Sequence, residues 1–219
     1  MFRFIELDHL SEIDGWSTET LLVLLQPIVI SFLGTLVFGA LGALALRKQI
    51  QRIGSEGAES VSVEWNLVFL AMWSSLVRYG FERDSLALVI QCTLRAPFYV
   101  VIVRQLYRYH GDFSRRQWGL AGLMVLATAL SFIRPTLIAT ILLWVSIFFA
   151  AHQPWEIWRT RSTKGVELRV LLVYLMSALF WMFYGFGLKD YYIVSWAIGY
   201  AIVYVTGITV HRIYHIKTT

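Results

Sequence analysis

Long apolar stretches alternate with short polar gaps along the whole chain. Seven stretches hold most of the aliphatic and aromatic residues, and charged residues collect between them. A helix needs about 20 apolar residues to cross about 30 Å of hydrocarbon. Continuous apolar runs, without two-residue alternation, favour helices over a membrane barrel. The pattern therefore predicts membrane-spanning helices at residues 20–46, 61–79, 85–106, 118–133, 136–151, 168–187 and 191–213.

Composition supports a polytopic membrane protein. Hydrophobic residues make up 58% of the chain and charged residues only 15%, whereas about a quarter of a soluble domain is charged. The single cysteine, Cys92, falls within a predicted span, so no disulfide framework is expected. In residues 1–19 apolar side chains recur about every third position, which predicts an amphipathic segment at the membrane surface, with an unstructured segment as the alternative.

The basic residues lie unequally on the two sides of the predicted spans. Of 19 lysines and arginines, thirteen fall on the side of the C-terminus, five on the other side, and Arg95 lies within a span. Basic loops stay in the cytoplasm, so we expect a cytoplasmic C-terminus and an outside N-terminus, in a plasma or bacterial inner membrane. This distribution also explains the net charge of +5 without a nucleic-acid partner.

The two halves of the chain resemble each other at an offset of 105 residues. After one inserted residue, Asp84 also meets Asp190. An internal repeat of this kind predicts a first three-helix repeat at 20–110, a linker helix at 111–134, and a second repeat with a cytoplasmic tail at 135–219. The expected fold is all-α, with seven transmembrane helices as two parallel three-helix bundles joined by one helix. The identical pairs are Val61/Val166, Val68/Val173, Leu70/Leu175, Tyr79/Tyr184, Gly80/Gly185 and Phe81/Phe186.

Several residues of the second half resemble the repeat unit of the SWEET, SemiSWEET and PQ-loop proteins. They are Gln153, the segment 158–166, Trp181, Tyr184 with Gly185, and Asp190. The resemblance implies the 3-1-3 helix layout, solute transport by alternating access, a hinge near Gln153 and Pro154, and a pocket lined by Trp181.

The chain also departs from the family pattern. His152 stands where the family has proline, and Arg47 and Lys48 occupy the motif position in the first repeat. Ala197 replaces a family asparagine, whose first-repeat position is Gln91; Leu76 replaces the family tryptophan there. These departures favour a solute other than a neutral sugar.

Arg95 is the most informative residue, because it falls near the middle of a span. A buried arginine in a membrane costs at least a few kcal/mol unless it faces a cavity or a partner. Gln91 lies one turn earlier on the same face. We expect Arg95 to bind an anionic or zwitterionic solute and Gln91 to add hydrogen bonds. The alternative is a structural Arg95, satisfied by carbonyls or by an acid such as Glu64.

Further candidates lie on neighbouring spans. Asn66 and Trp73 share one helix face and would line the same pocket, although either could simply pack between helices. Trp181 joins them through the family resemblance. Pro97 could loosen its helix locally. Gln153 and Pro154 predict either a hinge or an ordinary helix end.

The leading hypothesis is a facilitator that carries a small polar, carboxylate-bearing or zwitterionic, solute by alternating access. Two alternatives stay open: a non-transporting receptor or assembly factor with the architecture of the KDEL receptor, and a sugar facilitator. No arrangement of nucleophile, base and acid predicts an enzyme, and no residue pattern predicts a metal or cofactor. The expected partners are the lipid bilayer and the solute, and a homo-oligomer stays open.

Overall fold

The computed structural model describes residues 18–82, 84–187 and 191–218, with the backbone alone at 18–31, 192 and 216–218. Residues 1–17 of the predicted amphipathic segment lie outside this description, as does Asp190. The described residues form eight helices. They are α1 (Thr18–Glu56), α2 (Val63–Glu82), α3 (Leu86–His110), α4 (Arg115–Leu130), α5 (Pro135–Ala150), α6 (His152–Thr160), α7 (Leu168–Gly187) and α8 (Tyr191–Thr218).

The all-helical architecture predicted from the hydrophobic pattern is confirmed. Five helical stretches in the described residues are long and apolar enough to cross a membrane, and one of them combines α5 and α6. Two predicted spans fall short of that measure. The α4 helix has only 16 residues, and α2 carries Glu64, Asn66 and Arg78 among its apolar residues.

Two helices continue beyond their predicted ends. The first span was expected to stop before Arg47 and Lys48, but α1 runs ten residues further, to Glu56. Its extension is amphipathic: both basic residues are exposed, and Gln49 and Ile53 are buried against the second half. The fifth span was expected to end at Ala151. That residue keeps helical angles, with φ −65° and ψ −18°, and α6 continues the same pass.

The helices form a closed ring of two triads. In the first triad α3 lies between α1 and α2, and in the second α8 lies between α7 and the α5–α6 pass. The triads meet where α1 packs on α7 and where α2 packs on α5. Exchanging the halves of the chain interconverts these two interfaces, so the ring has an approximate twofold character. The α4 helix lies outside the ring, against α2 and α5.

Candidate functional site

The ring encloses a central cavity between the two triads. Its volume is about 20 Å³, which is space for about one water molecule. A bound solute therefore requires the triads to separate. Four helices contribute the lining, which consists of Phe69, Met72 and Trp73 from α2, Arg95 from α3, Tyr174, Ser177, Ala178 and Trp181 from α7, and Trp196, Tyr200 and Tyr204 from α8.

Arg95 projects into this cavity and is only 2% exposed. Its guanidinium carbon lies 4.8 Å from the ring centroid of Trp73 and 4.5 Å from that of Tyr174. Nη2 donates to the Phe38 carbonyl at 3.0 Å and to Ser177 Oγ at 3.5 Å. The π faces and oxygen atoms hold the cation, yet they do not neutralise its charge.

No carboxylate of the described residues pairs with Arg95. Glu64, the acid considered from the sequence, instead accepts a hydrogen bond from Gln117 Nε2 at 3.1 Å, at the start of α2. Within the described residues, the Nε atom of Arg95 and the indole nitrogen of Trp73 are buried without a hydrogen-bond partner. Both of these groups are donors. The cavity is therefore short of acceptor atoms, which a carboxylate or a hydroxyl-rich solute would supply.

A glycine on α1 makes room for the guanidinium. A Cβ atom at Gly42 would lie 2.7 Å from Arg95 Nη2 and 2.8 Å from Nε. Gly39 has the same relation to Gln91, whose Cγ would lie 2.9 Å from an added Cβ. Two small residues on α1 thus let the polar side chains of α3 approach the helix backbone.

Gln91 connects three helices just beside the cavity. Its Oε1 accepts a hydrogen bond from Trp181 Nε1 at 2.9 Å. Its Nε2 donates to the Thr35 carbonyl at 3.1 Å and to Ser177 Oγ at 3.2 Å. Gln91 and Arg95 thus share Ser177 as a neighbour, as expected for residues one turn apart on one face. The amide orients Trp181, which lines the cavity directly.

Asn66 does not reach the cavity. Its Nδ2 donates to the Ser62 carbonyl at 2.7 Å, one turn back at the start of α2. Asn66 and Trp73 are both buried on α2, but the seven-residue separation between them corresponds to about 10 Å along the helix axis. The predicted role of Asn66 in the pocket is thus not supported by its position.

The cavity lining repeats at the offset of 105 residues. Phe69, Met72 and Trp73 correspond to Tyr174, Ser177 and Ala178, and all six line the cavity. On the middle helices of the triads, the buried residues Gln91, Arg95 and Tyr99 correspond to Trp196, Tyr200 and Tyr204. The inserted residue inferred from Asp84 and Asp190 is therefore not needed to relate α3 to α8.

Two glutamines close one end of the ring, and each binds the loop of the opposite half. Gln153 Nε2 donates to the Ser60 carbonyl at 2.6 Å, and its Oε1 accepts from Ser62 N at 3.3 Å. We call this pair of bonds, together with the matching pair made by Gln49, the glutamine clamps.

The second clamp repeats the first with the halves exchanged. Gln49 Nε2 donates to the Gly165 carbonyl at 2.5 Å, and its Oε1 accepts from Glu167 N at 2.8 Å. Its partners Gly165 and Glu167 are offset by 105 residues from Ser60 and Ser62. Gln49 was not predicted as a site residue, because the offset of 105 residues places Lys48 opposite Gln153. The glutamine of the first half lies one residue after the position that the offset indicates.

The two loops that receive these clamps touch each other. Gly165 has φ +76°, and a Cβ atom there would collide with the carbonyl oxygen of Gly57. Ser60 Oγ also donates to the Ser162 carbonyl at 2.8 Å. This end of the cavity is sealed by backbone approach and buried hydrogen bonds.

The opposite end is closed by aromatic rings instead. A second cavity of about 40 Å³ lies beyond the first and shares Trp181 and Trp196 with it. The centroids of these two rings are 6.4 Å apart in an edge-to-face arrangement. The two indoles therefore form the partition between the central cavity and the outer one.

The predicted hinge residues lie in continuous helices. Pro97 is exposed within α3, two residues after Arg95, and removes one hydrogen bond from that helix. Pro154 is buried in the first turn of α6, where a missing N–H is tolerated. It does not end the helix, so the reading of Pro154 as a plain helix stop is wrong.

The fold and cavity together define a polytopic helical membrane protein with two triads around a polar centre. Residues 136–219 match the family described as "Sugar efflux transporter for intercellular exchange". The fold resembles the solved structure of a eukaryotic SWEET transporter, with TM-score 0.60 and 17% identity over 88% of this chain and 99% of that one. Comparison with curated proteins gives no significant match. The predicted resemblance is confirmed for the second half, which matches the family model, and the chain has a SWEET-like fold and is an integral membrane protein.

Proposed function

We propose that this protein transports a small polar solute across the membrane by alternating access. The observation that carries the proposal is the buried guanidinium of Arg95, which lies in a central cavity between two triads and pairs with no carboxylate of the described residues. A charge in that position is costly unless it faces a cavity or a partner, and Arg95 faces the central cavity. The glutamine clamps at one end and the aromatic partition at the other supply the two closures that alternating access requires.

We further propose that the solute carries a carboxylate or is a zwitterion. The guanidinium of Arg95 would pair with the anionic group, and the indole N–H group of Trp73 would donate to one of its oxygens. Asn66 is left out of the binding set, which consists of Arg95, Trp73 and Trp181, with Gln91 in support. The basic side of the protein, and with it the clamped end, would face the cytoplasm.

A neutral sugar is the second candidate, and two observations favour it. The family matched by the second half is described by sugar efflux. The cavity walls are also rich in aromatic faces, including Trp73, Tyr174 and Trp181, and such faces pack well against the apolar side of a sugar ring. The family description offers no support for a carboxylate-bearing solute, so this part of the proposal depends on the electrostatics of Arg95.

Uptake into proteoliposomes tests the function and the solute together. Radiolabelled amino acids, monocarboxylates and neutral monosaccharides would be supplied outside vesicles that contain the purified protein. We expect saturable uptake of a carboxylate-bearing solute that runs down its own gradient without an imposed proton gradient. Saturable binding without flux would instead identify a receptor, and flux of sugars alone would assign the sugar function.

Arg95→Met and Arg104→Gln form a matched pair for this assay. Loss of a hydrogen-bonded ion pair to the solute is worth about 1.5–3 kcal/mol, so we expect Arg95→Met to weaken apparent affinity about 10- to 150-fold. Arg104 is exposed on the same helix, and its replacement should leave uptake unchanged. Equal uptake by wild type and Arg95→Met would contradict the role of the arginine.

A further inference from the structure

A lateral groove separates the linker helix α4 from the ring. Its volume is about 440 Å³, far larger than the central cavity. Leu67 and Ala71 of α2 form one wall, and Ala121, Met124 and Val125 of α4 form the other, with Phe132 at the far end. The lining is apolar over most of its length, and Val125 and Phe132 are 70% and 69% exposed on the outer surface of the helix bundle.

The groove begins one helical turn after a polar contact between the first turns of α2 and α4. Gln117 Nε2 donates to Glu64 Oε1 at 3.1 Å and so ties the first turn of α4 to the first turn of α2. From Ala121 to Phe132 the groove extends along about 16 Å of the helix axis, at about 1.5 Å per residue. That is the direction and the depth range of a lipid acyl chain in one leaflet.

Two arginines lie in the first turn of α4, at the end of the helix where this groove begins. Arg115 and Arg116 occupy the first turn of α4 and are exposed, and within the described residues neither takes part in a salt bridge. Trp118, Tyr107 and Phe113 form an aromatic cluster beside them, with centroid distances of 5.2–6.0 Å. Partly exposed tryptophan and tyrosine rings are typical of the headgroup level of a membrane.

The linker helix itself needs a partner on this side. Met124 is its only buried residue among Arg115–Leu130, and its 16 residues span about 24 Å, less than the hydrocarbon thickness. Its first turn therefore lies within reach of the headgroups, and its groove face is filled by no described side chain.

We propose that this groove is a binding site for an anionic glycerophospholipid. One acyl chain would lie between α2 and α4, and the phosphate would meet Arg115 and Arg116 at the positive end of the α4 dipole. Asp112 and Glu64 are the nearby acids, and both already accept hydrogen bonds, from Trp118 Nε1 and Gln117 Nε2. The side with Arg115 and Arg116 is the basic side of the protein, which faces the anionic leaflet if the predicted orientation holds.

Native mass spectrometry of the full chain tests the site. The protein would be released from mixed micelles that contain equal amounts of dioleoyl phosphatidylglycerol and dioleoyl phosphatidylcholine. We expect the wild type to retain phosphatidylglycerol in preference to phosphatidylcholine. The variant Arg115→Gln with Arg116→Gln should bind phosphatidylglycerol about 30-fold more weakly at low salt, since each arginine near an anionic membrane surface contributes about a fivefold factor.

Two further variants make the result specific. Arg159→Gln with Arg161→Gln removes two exposed arginines at the end of α6, on the same side of the protein but away from the groove, and should leave lipid retention unchanged. Ala121→Leu narrows the upper end of the groove without a change of charge and should reduce the retention of phosphatidylglycerol as well. The proposal would be overturned if both arginine pairs lost phosphatidylglycerol retention equally, or if the wild type retained the two lipids equally. A dimer without bound lipid, with a second copy in the groove, would also overturn it.

Discussion

The glutamine clamps should set how often the cavity opens at their end of the protein. Each clamp makes two hydrogen bonds across the two triads, at 2.6 and 3.3 Å for Gln153 and at 2.5 and 2.8 Å for Gln49. Both glutamines are buried, with exposures of 1% and 7%. Because the bonds join a helix of one half to a loop of the other, they cannot persist once this end separates.

The expected size of the effect follows from these four bonds. Replacement of either glutamine by alanine removes two buried hydrogen bonds at about 1 kcal/mol each and leaves a carbonyl and an N–H without a partner. We therefore expect the closed form to lose about 2–3 kcal/mol per glutamine. A shift of that size raises the population of the open form about 30- to 150-fold.

Thiol labelling from the clamped side measures this population. In a Cys92→Ala background, Ala178→Cys places one thiol in the cavity lining. A membrane-impermeant maleimide added at the clamped end should label it faster in Gln49→Ala and in Gln153→Ala, by similar factors. Gln51→Ala is the matched control, because Gln51 is exposed two residues further along the same helix.

The prediction requires similar increases in labelling rate for Gln49→Ala and Gln153→Ala. If Gln153→Ala accelerates labelling and Gln49→Ala does not, the second clamp has no role in gating. If Gln51→Ala accelerates labelling as strongly, the effect reflects a loosened α1 helix. A cysteine at Leu142, which is 2% exposed in the core, should stay unlabelled in all variants, since its reaction would report general unfolding.

Three further substitutions have defined outcomes. Gly165→Ala combines a left-handed φ of +76° with a backbone collision, so thermal unfolding should reveal a loss of about 2 kcal/mol or more. Gly42→Ala should displace the Arg95 guanidinium and weaken solute affinity in a binding assay, while the thermal midpoint changes little. Trp181→Phe leaves Gln91 Oε1 without its donor and should destabilise the protein by about 1–3 kcal/mol in a thermal assay, an effect that Gln91→Leu in the same chain should reduce.

The cavity was only partly predictable from the sequence. Arg95 was predicted because a charge in an apolar span is conspicuous, and Trp181 because of the family resemblance. Trp73 was predicted only because it shares a helix face with Asn66. The aromatic stripe of α8 was missed, although Trp196, Tyr200 and Tyr204 follow one another at four-residue spacing. Aromatic residues are common in every span, so this spacing alone did not indicate a site. The structure shows that these residues line the same cavity as Arg95.

The clamps were harder to predict, for a reason of register. The offset of 105 residues relates the two receiving loops correctly, but it places Lys48, not Gln49, opposite Gln153. Neighbouring residues of a helix point about 100° apart. Lys48 is therefore exposed, whereas Gln49, one residue later, is buried and makes the clamp. The end of α1 was misjudged for a related reason: charged residues end a membrane span, but they do not end a helix that continues beyond the membrane.

The two closures of the cavity differ in chemistry, and this difference has a mechanistic consequence. The hydrogen bonds between the glutamine side chains and the loop backbones at the clamped end are directional and are lost together once the loops separate. The partition formed by Trp181 and Trp196 depends on the packing of the two indole rings. The Trp181 ring is also held by a hydrogen bond from its Nε1 to Gln91 Oε1. The Ser177 hydroxyl lies within hydrogen-bonding distance of both Gln91 and Arg95. A solute that draws Arg95 away from Ser177 would therefore alter the support of Trp181, so occupancy of the cavity and release of the aromatic partition are coupled through one hydroxyl group.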